Sequence, residues 1–129
     1  MVINKNWKIL LQQGAGSLAD SFISKSRTGT GVVYTVPTAD QNSQPPILPT
    51  TAIVKSIFIS NETGGAVTTT VAKVDSSNGN LEIPLYKDSA ADGFQDQVLK
   101  KELVLEEADQ IKITGAGVII DVNILEMTQ

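Results

Sequence analysis

The carboxylates are the residues whose type and spacing come closest to chemistry in this chain. Asp88, Asp92 and Asp96 recur every four residues, and Glu106, Glu107 and Asp109 cluster soon after. Calcium takes several oxygen ligands, and loop carboxylates with backbone carbonyls can supply them. The D-x-x-x-D-x-x-x-D spacing departs from an EF-hand loop, whose ligands alternate. These acids therefore read as a solvated acidic rim, and no metal is assigned to them. A pair of acids for glycoside hydrolysis would have to face across a cleft, and nothing in the sequence locates one. Cysteine and histidine are both absent. That excludes disulfides, thiolate zinc sites, Cys–His nucleophiles and Ser–His–Asp triads. Gly14-Ala-Gly16 and Gly29-Thr-Gly31 complete neither GxGxxG nor GxxxxGK[ST]. They read as turns flanking 17–28. The expectation is a non-enzyme with no cofactor.

Binding to nucleic acid is disfavoured as well. The chain has 10 basic and 14 acidic residues, a net charge of −4, whereas a phosphate grip needs many Lys and Arg contacts. The one adjacent basic pair, Lys100-Lys101, would point to opposite faces of a strand. Charge is uneven along the chain: six basic and three acidic residues in 1–74, four and eleven in 75–129. No segment approaches the ~20 apolar residues of a membrane helix. The apolar stretch Trp7 to Leu11 is shorter than the roughly 7–15 residues of a secretory h-region, so synthesis in a cytoplasm is expected. Asn61-Glu62-Thr63 matches the N-glycosylation pattern, which matters only on secretion. There are six aromatics. Phe58 looks like core, and Tyr86 and Phe94 fall on an expected loop where they could form a sugar-binding platform.

The elements that must position these residues are strands. Ile, Val and Thr number 13, 12 and 12, and such residues suit a pleated surface. Apolar residues alternate with period two at 32–36, 81–85, 99–106, 110–114 and 117–126. Leu81, Ile83 and Leu85 are expected on one face, and Leu103 and Leu105 inward. The run 52–60, AIVKSIFIS, is apolar on both faces and reads as a central strand covered on both sides. Residues 66–74 form another strand, and Trp7, Ile9 and Leu11 a candidate first one. Turn residues at 61–65, 75–80, 106–109 and 114–117 set short connections between antiparallel neighbours. Residues 37–51, with four of the five prolines, and 86–98 read as long loops. The pattern predicts an all-β fold: an antiparallel β-sandwich of about eight strands, jelly-roll-like, with an immunoglobulin-like sandwich as the alternative.

The order of these segments resembles a known group. Val32-Val-Tyr-Thr-Val-Pro37 is followed by Ala52-Ile-Val-Lys-Ser-Ile-Phe-Ile-Ser-Asn61 and Gly65-Ala-Val-Thr-Thr-Thr-Val71. Leu103-Val-Leu-Glu-Glu-Ala-Asp-Gln-Ile-Lys-Ile-Thr114 and Val122-Asn-Ile-Leu-Glu126 complete it. Together they resemble small β-sandwich virion structural proteins of tailed bacteriophages, of the marine and cyanobacterial type, over residues 30–127. The chain departs from that pattern in its longer Pro-rich insert at 38–50, and in Ala108, where glycine commonly precedes the Asp. The resemblance implies a virion protein that catalyses nothing, made in the host bacterial cytoplasm. Capsid decoration, binding the major capsid shell, is the first expectation; a neck or tail adaptor or fibre-attachment protein is the second, and a carbohydrate-binding module the third. Partners would be other virion proteins and further copies of the chain, a trimer among the candidate states. Residues 1–29 would form an arm or first strand contacting partners, followed by a sandwich domain at 30–129. The candidate contact residues are Trp7, Leu10, Leu11, Phe22 and Ile23, with Tyr86 and Phe94 from the loop.

Overall fold

A computed structural model of the chain describes residues 19–128. The candidate strand at 7–11 and the contact residues Trp7, Leu10 and Leu11 lie outside them. Nine strands follow in order: β1 (Ala19–Thr28), β2 (Gly31–Thr35), β3 (Thr50–Ser60), β4 (Val67–Asp75), β5 (Leu81–Ala90), β6 (Gln95–Leu99), β7 (Leu103–Leu105), β8 (Gln110–Thr114) and β9 (Ile119–Thr128). A 3-10 turn, Ser76–Asn78, links β4 to β5. All the pairings are antiparallel.

One sheet runs β1-β9-β3-β6, with β7 also on β3; the other runs β2-β8-β4-β5. β9 occupies one edge of β3 along its whole length. β6 and β7 therefore share the other edge and fill a single strand position. The sandwich then has eight positions, in the orders 1-8-3-6 and 2-7-4-5, which is the interleaved double Greek key of a jelly roll. Within residues 1–29, Ala19–Thr28 is a strand that pairs residue for residue with β9.

The core is the set of inward residues of both sheets, among them Val36, Val54, Ile57, Ile59, Val71, Leu105, Ile111, Ile113, Ile120 and Ile124. Leu103 and Leu105 face inward, opposite Val54 and Ala52. Within β3 the inward phase changes from Ala52 and Val54 to Ile57 and Ile59. A bulge at Lys55 carries the change, because one extra residue shifts every later side chain to the other face. Only one face of β3 is covered by the sandwich. Its outer residues Ile53 and Phe58 are partly or largely exposed.

Two expectations about the middle of the chain are corrected. Residues 86–90, in β5, and 95–98, in β6, are strand, not loop. β5 lies on the sheet edge and is exposed along most of its length, so it lacks the alternation that marks half-buried strands. Leu81 and Ile83 lie exposed on β5, and a bulge at Leu85 breaks its phase. In the loop 37–49, Asp40 and Ile47 form an isolated bridge.

Two buried polar side chains hold the two ends of β4. Asn61, fully buried, donates through Nδ2 to the carbonyls of Gly65 (2.9 Å) and Ala90 (2.7 Å). Its Oδ1 accepts from the Thr63 N–H (3.0 Å) and hydroxyl (2.8 Å). One amide thus joins the β3–β4 turn to the end of β5, which explains the Asn-Glu-Thr pattern without any glycan. At the other end Asp109 is 1% exposed. Its Oδ1 accepts from the Ser76 N–H (2.9 Å) and hydroxyl (3.0 Å), and its Oδ2 from the Glu106 N–H (2.9 Å). Lys73 Nζ stands 3.9 Å away. Burial alone would raise the Asp109 carboxyl, but these hydrogen bonds and the lysine outweigh it and hold it below its ordinary value. Between the sheets, the buried Tyr34 hydroxyl donates to Glu126 Oε2 (2.5 Å). Burial, then the Glu126 carboxylate, push that phenol well above its usual range.

The Asp109 N–H donates to the Glu106 carbonyl (3.1 Å), with Ala108 third in the turn at φ +67°. A type II turn asks for glycine there. Ala108→Gly is expected to stabilise the chain by about 0.5–1 kcal/mol, the left-handed cost of alanine less the extra chain entropy of glycine. A calorimetric melting point higher by roughly 2–5 °C checks it. Asp109→Asn is expected to cost about 2 kcal/mol at pH 7. A carboxyl depressed in the folded state stabilises above its unfolded value, near ~3.9 for Asp, and loses that contribution as pH falls through the native one. The gap between variant and parent in urea titrations should therefore be widest at neutral pH and close below about pH 4.

Candidate interaction face

Side chains alternate along a strand, so Ile124 and Val54 pointing into the core put Leu125 and Ile53 on the outer face of the five-stranded sheet. Register then builds a row. Phe22 on β1 lies opposite Leu125 on β9, Leu125 opposite Ile53 on β3, and Ile53 opposite Val104 on β7. Four apolar side chains thus cross the whole sheet. Phe22 is 78% exposed and Val104 49%. Met127 extends the patch one row toward the chain ends, between Asp20 and Thr51.

The next row holds Ser24, Asn123 and Ser56, with Asn123 Nδ2 donating to Ser56 Oγ (3.0 Å). Beyond it come Ser26, Asp121, Phe58 and Gln97, then Thr28, Ile119, Ser60 and Gln95. Asp121 Oδ1 accepts from the hydroxyls of Ser24 (2.8 Å) and Ser26 (2.9 Å). Phe58, 43% exposed, and Ile119 floor a shallow groove of about 490 Å³ rimmed by Ser60, Gln95, Gln97 and Asp121. Lys55, at the bulge, pairs with Glu102. The face is therefore large, nearly flat, rich in Ser, Asn and Gln, poor in net charge, and crossed by an apolar row.

The opposite outer face is built differently. Lys112 on β8 reaches across β4 to Glu82 on β5 (2.6 Å). The pair passes over Ala72 and Val74, which are both buried. Aliphatic stems and paired charges shield Ala72 and Val74 from solvent, while Val32, beside Lys112, is 41% exposed; among the described residues no comparable lid lies over Phe22 or Val104.

The candidate residues read from the sequence separate into groups. Phe22 lies on the outer face. Its neighbour Ile23 turns inward and packs against the core. Tyr86 belongs to β5 and Phe94 to the tight turn before β6; their rings stack with centroids 6.4 Å apart and planes at 27°, and both pack against the core. They are committed to each other and form no pair of free platforms for a sugar. Burial, then the carboxylates of Asp88 and Asp96, raise the Tyr86 phenol. The acids are dispersed, Asp88 on β5, Asp96 on β6 and the others in turns. Asp92 Oδ1 accepts from Gly64 N–H (3.0 Å), and Glu107 Oε1 from Ala39 N–H (3.0 Å). Among the described residues no three acids gather as ligands for a metal ion. Gly29-Thr-Gly31 is the β1–β2 turn. The Arg27 guanidinium donates to the Gly29 and Thr30 carbonyls and lies 2.3 Å from where a Cβ on Gly31 would stand. Sequence reading passed over Ile53, Val104 and Leu125, and it took Phe58, 43% exposed, for core. For Ile53 and Phe58 the signal was the doubly apolar run at 52–60, which also fits a strand covered on both sides.

No protein-family model matches the chain, and no curated protein does. Among solved structures, the chain is similar to a subunit of the disulfide-linked pili of Bacillus endospore appendages, at 15% identity and a TM-score of 0.47, covering 90% of this chain and 91% of that one. A fainter likeness, at 6% identity and a TM-score of 0.19, is to a chain of infectious bursal disease virus, covering 86% of this chain and 35% of that one.

Val104 and Phe58 are exposed, so removing them should cost the sandwich little. The double variant Val104→Thr, Phe58→Thr is expected to melt within about 2 °C of the parent, since surface changes fall within about 0.5 kcal/mol. It should also elute earlier from a hydrophobic-interaction column. Unchanged retention would show that this face is not the apolar one.

Proposed function

We propose that the chain is a non-catalytic structural subunit, built to be part of an assembly, and that the outer face of the five-stranded sheet is its contact surface. The observation that carries this reading is the apolar row from Phe22 to Val104 on a face with little net charge. Monomeric proteins rarely leave such a patch uncovered, and interface cores are depleted of charge. Asp92, Glu107 and Asp109 spend their oxygens on turns, which supports a structural reading.

The assembly we propose is the virion of a tailed bacteriophage, on the resemblance of residues 30–127 to small phage structural proteins. Capsid decoration is the specific role: a jelly roll laid with one apolar face on the shell leaves its charged face, with the Lys112–Glu82 pair, toward solvent. The other virion proteins are its partners.

Cryo-electron microscopy of purified particles, with copy number by mass spectrometry, tests the reading. Hundreds of copies over the capsid are expected; a few to tens at the neck or tail would move the subunit to an adaptor role. Ile53→Glu with Val104→Glu should abolish incorporation, since each charge would be desolvated in the contact, while the purified variant stays folded by circular dichroism. Particles that lack the protein would refute the virion assignment.

A further inference from the structure

We propose that the groove floored by Phe58 and Ile119 receives an arginine side chain from a different protein of the assembly, its guanidinium lying over the Phe58 ring and donating to Asp121. This names the partner's chemistry at the proposed contact face and rests on that reading. Register sets the parts in place. Phe58 on β3 stands between Asp121 on β9 and Gln97 on β6, and Ser60 stands between Ile119 and Gln95. Directly opposed residues have Cβ atoms about 4.5–5.5 Å apart. One planar group can therefore touch the ring and reach the carboxylate together. The groove, at about 490 Å³, has the size of sites that hold small ligand groups. Ser26 and Thr28 flank it on β1, at the far end of that strand from Ala19.

The groups left open around this groove are acceptors. The Ser24 and Ser26 hydroxyls hold Asp121 Oδ1 (2.8 and 2.9 Å), which fixes the carboxylate and leaves Oδ2 for a ligand. Gln97 Nε2 donates to the Leu99 carbonyl (2.9 Å), and Gln95 Nε2 to Glu62 Oε2 (3.4 Å). Ser60 Oγ also donates to Glu62 Oε2 (3.2 Å). Both glutamines thus keep their Oε1 atoms, and Ser60 its hydroxyl oxygen, as acceptors. Lys100, at the rim, pairs with Asp96 (3.4 Å), and among the described residues no cation pairs with Asp121. A carboxylate, carbonyl acceptors and an exposed aromatic ring suit a planar cation that only donates. Guanidinium is that group: it has five donors and no acceptor, is weakly hydrated and stacks on aromatic faces. The compact, strongly hydrated ammonium of lysine would serve Asp121 without also covering the ring and the amides. A second copy does not supply the arginine. The chain has one, Arg27, and its guanidinium is tied to the Gly29 and Thr30 carbonyls of its own turn. The donor therefore comes from a different protein.

The test titrates the purified, isotope-labelled full chain with N-acetyl-arginine methylamide, followed by NMR. The lysine analogue and the citrulline analogue, which keeps the arginine shape without its charge, are run beside it. Saturable shifts at millimolar concentration are expected, centred on Phe58, Gln95, Gln97 and Asp121. The lysine analogue should bind at least about threefold more weakly, and the citrulline analogue should not saturate. Asp121→Asn keeps an oxygen for Ser24 and Ser26, and should weaken the arginine probe by about fivefold or more. Phe58→Leu keeps apolar surface but loses the π face, and should weaken it by about two- to fivefold. No saturable response to the arginine probe, equal binding of all three probes, or a response untouched by Asp121→Asn would overturn the proposal. In particles, Asp121→Asn at parental copy number would overturn it too, while loss of incorporation on Ile53→Glu with Val104→Glu would leave the contact face standing. Particles that lack the parent chain would refute the virion reading alone, and the titration would still decide the groove.

Discussion

The rest of the structure depends on two polar side chains that cannot be left unpaired. Asn61 and Asp109 sit at opposite ends of β4, both buried, and each gathers backbone from segments distant in sequence. A buried amide or carboxylate without partners costs several kcal/mol, so each residue tolerates one local arrangement of its turns. Asn61 fixes where β3 ends, where β4 begins and where β5 must finish. Asp109 fixes the β7–β8 turn against the end of β4, and its backbone carbonyl accepts from Val36 (2.9 Å) at the end of β2. Apolar packing in a sandwich is tolerant of register and these bonds are not, so they pin strands that the Val and Ile core would otherwise leave free to slip.

Pinned registers make the outer rows meaningful. The line Phe22–Leu125–Ile53–Val104 exists because β1, β9, β3 and β7 are held in one alignment, and a slip of one residue in β9 would bring buried Ile124 out in place of Leu125. The bulge at Lys55 has the same importance. It keeps the inward isoleucines of β3 in phase and leaves Phe58 outside, and its own Lys55 pairs with Glu102 beside the apolar row. Both outer faces carry an ion pair, but Lys112–Glu82 lies over the buried Ala72 and Val74, whereas Lys55–Glu102 stands beside a row that leaves Phe22 and Val104 exposed among the described residues.

How much of this was legible follows the same physics. Period-two alternation located β2, β7, β8 and β9, because each is half-buried and the core imprints its spacing on the sequence, while β4 read as a strand with no assigned inward face. The two-sheet fold followed from short polar turns between such strands. β5 stayed hidden beyond residue 85: an edge strand exposed along most of its length carries no alternation, and Tyr86 looked like a loop residue for that reason. β1 fell among polar residues and was assigned to an arm, since its Ser, Lys and Arg face solvent at a sheet edge. The outer row was invisible for a different reason. A strand apolar on both faces is consistent with burial under a second layer or with an interface, and sequence spacing does not distinguish them. Ala108 was flagged as a departure from glycine, and its left-handed φ gives that departure a physical meaning.

The fate of the acidic residues ties the fold to the function. A cluster of carboxylates can serve chemistry only where several oxygens converge on one point or where burial shifts a proton equilibrium toward neutrality. Here Asp92 accepts from the Gly64 N–H, Glu107 from the Ala39 N–H, and Asp109 from three donors, so each oxygen is turned toward backbone that lacks another partner. The Asp109 carboxyl is shifted downward, away from the range of a general acid at neutral pH. Three of the acids that looked most like chemistry, Asp92, Glu107 and Asp109, are therefore locks for the loops between strands, while Asp88 and Asp96 lie within β5 and β6. Among the described residues, what those bonds leave open is the apolar row from Phe22 to Val104 across the five-stranded sheet.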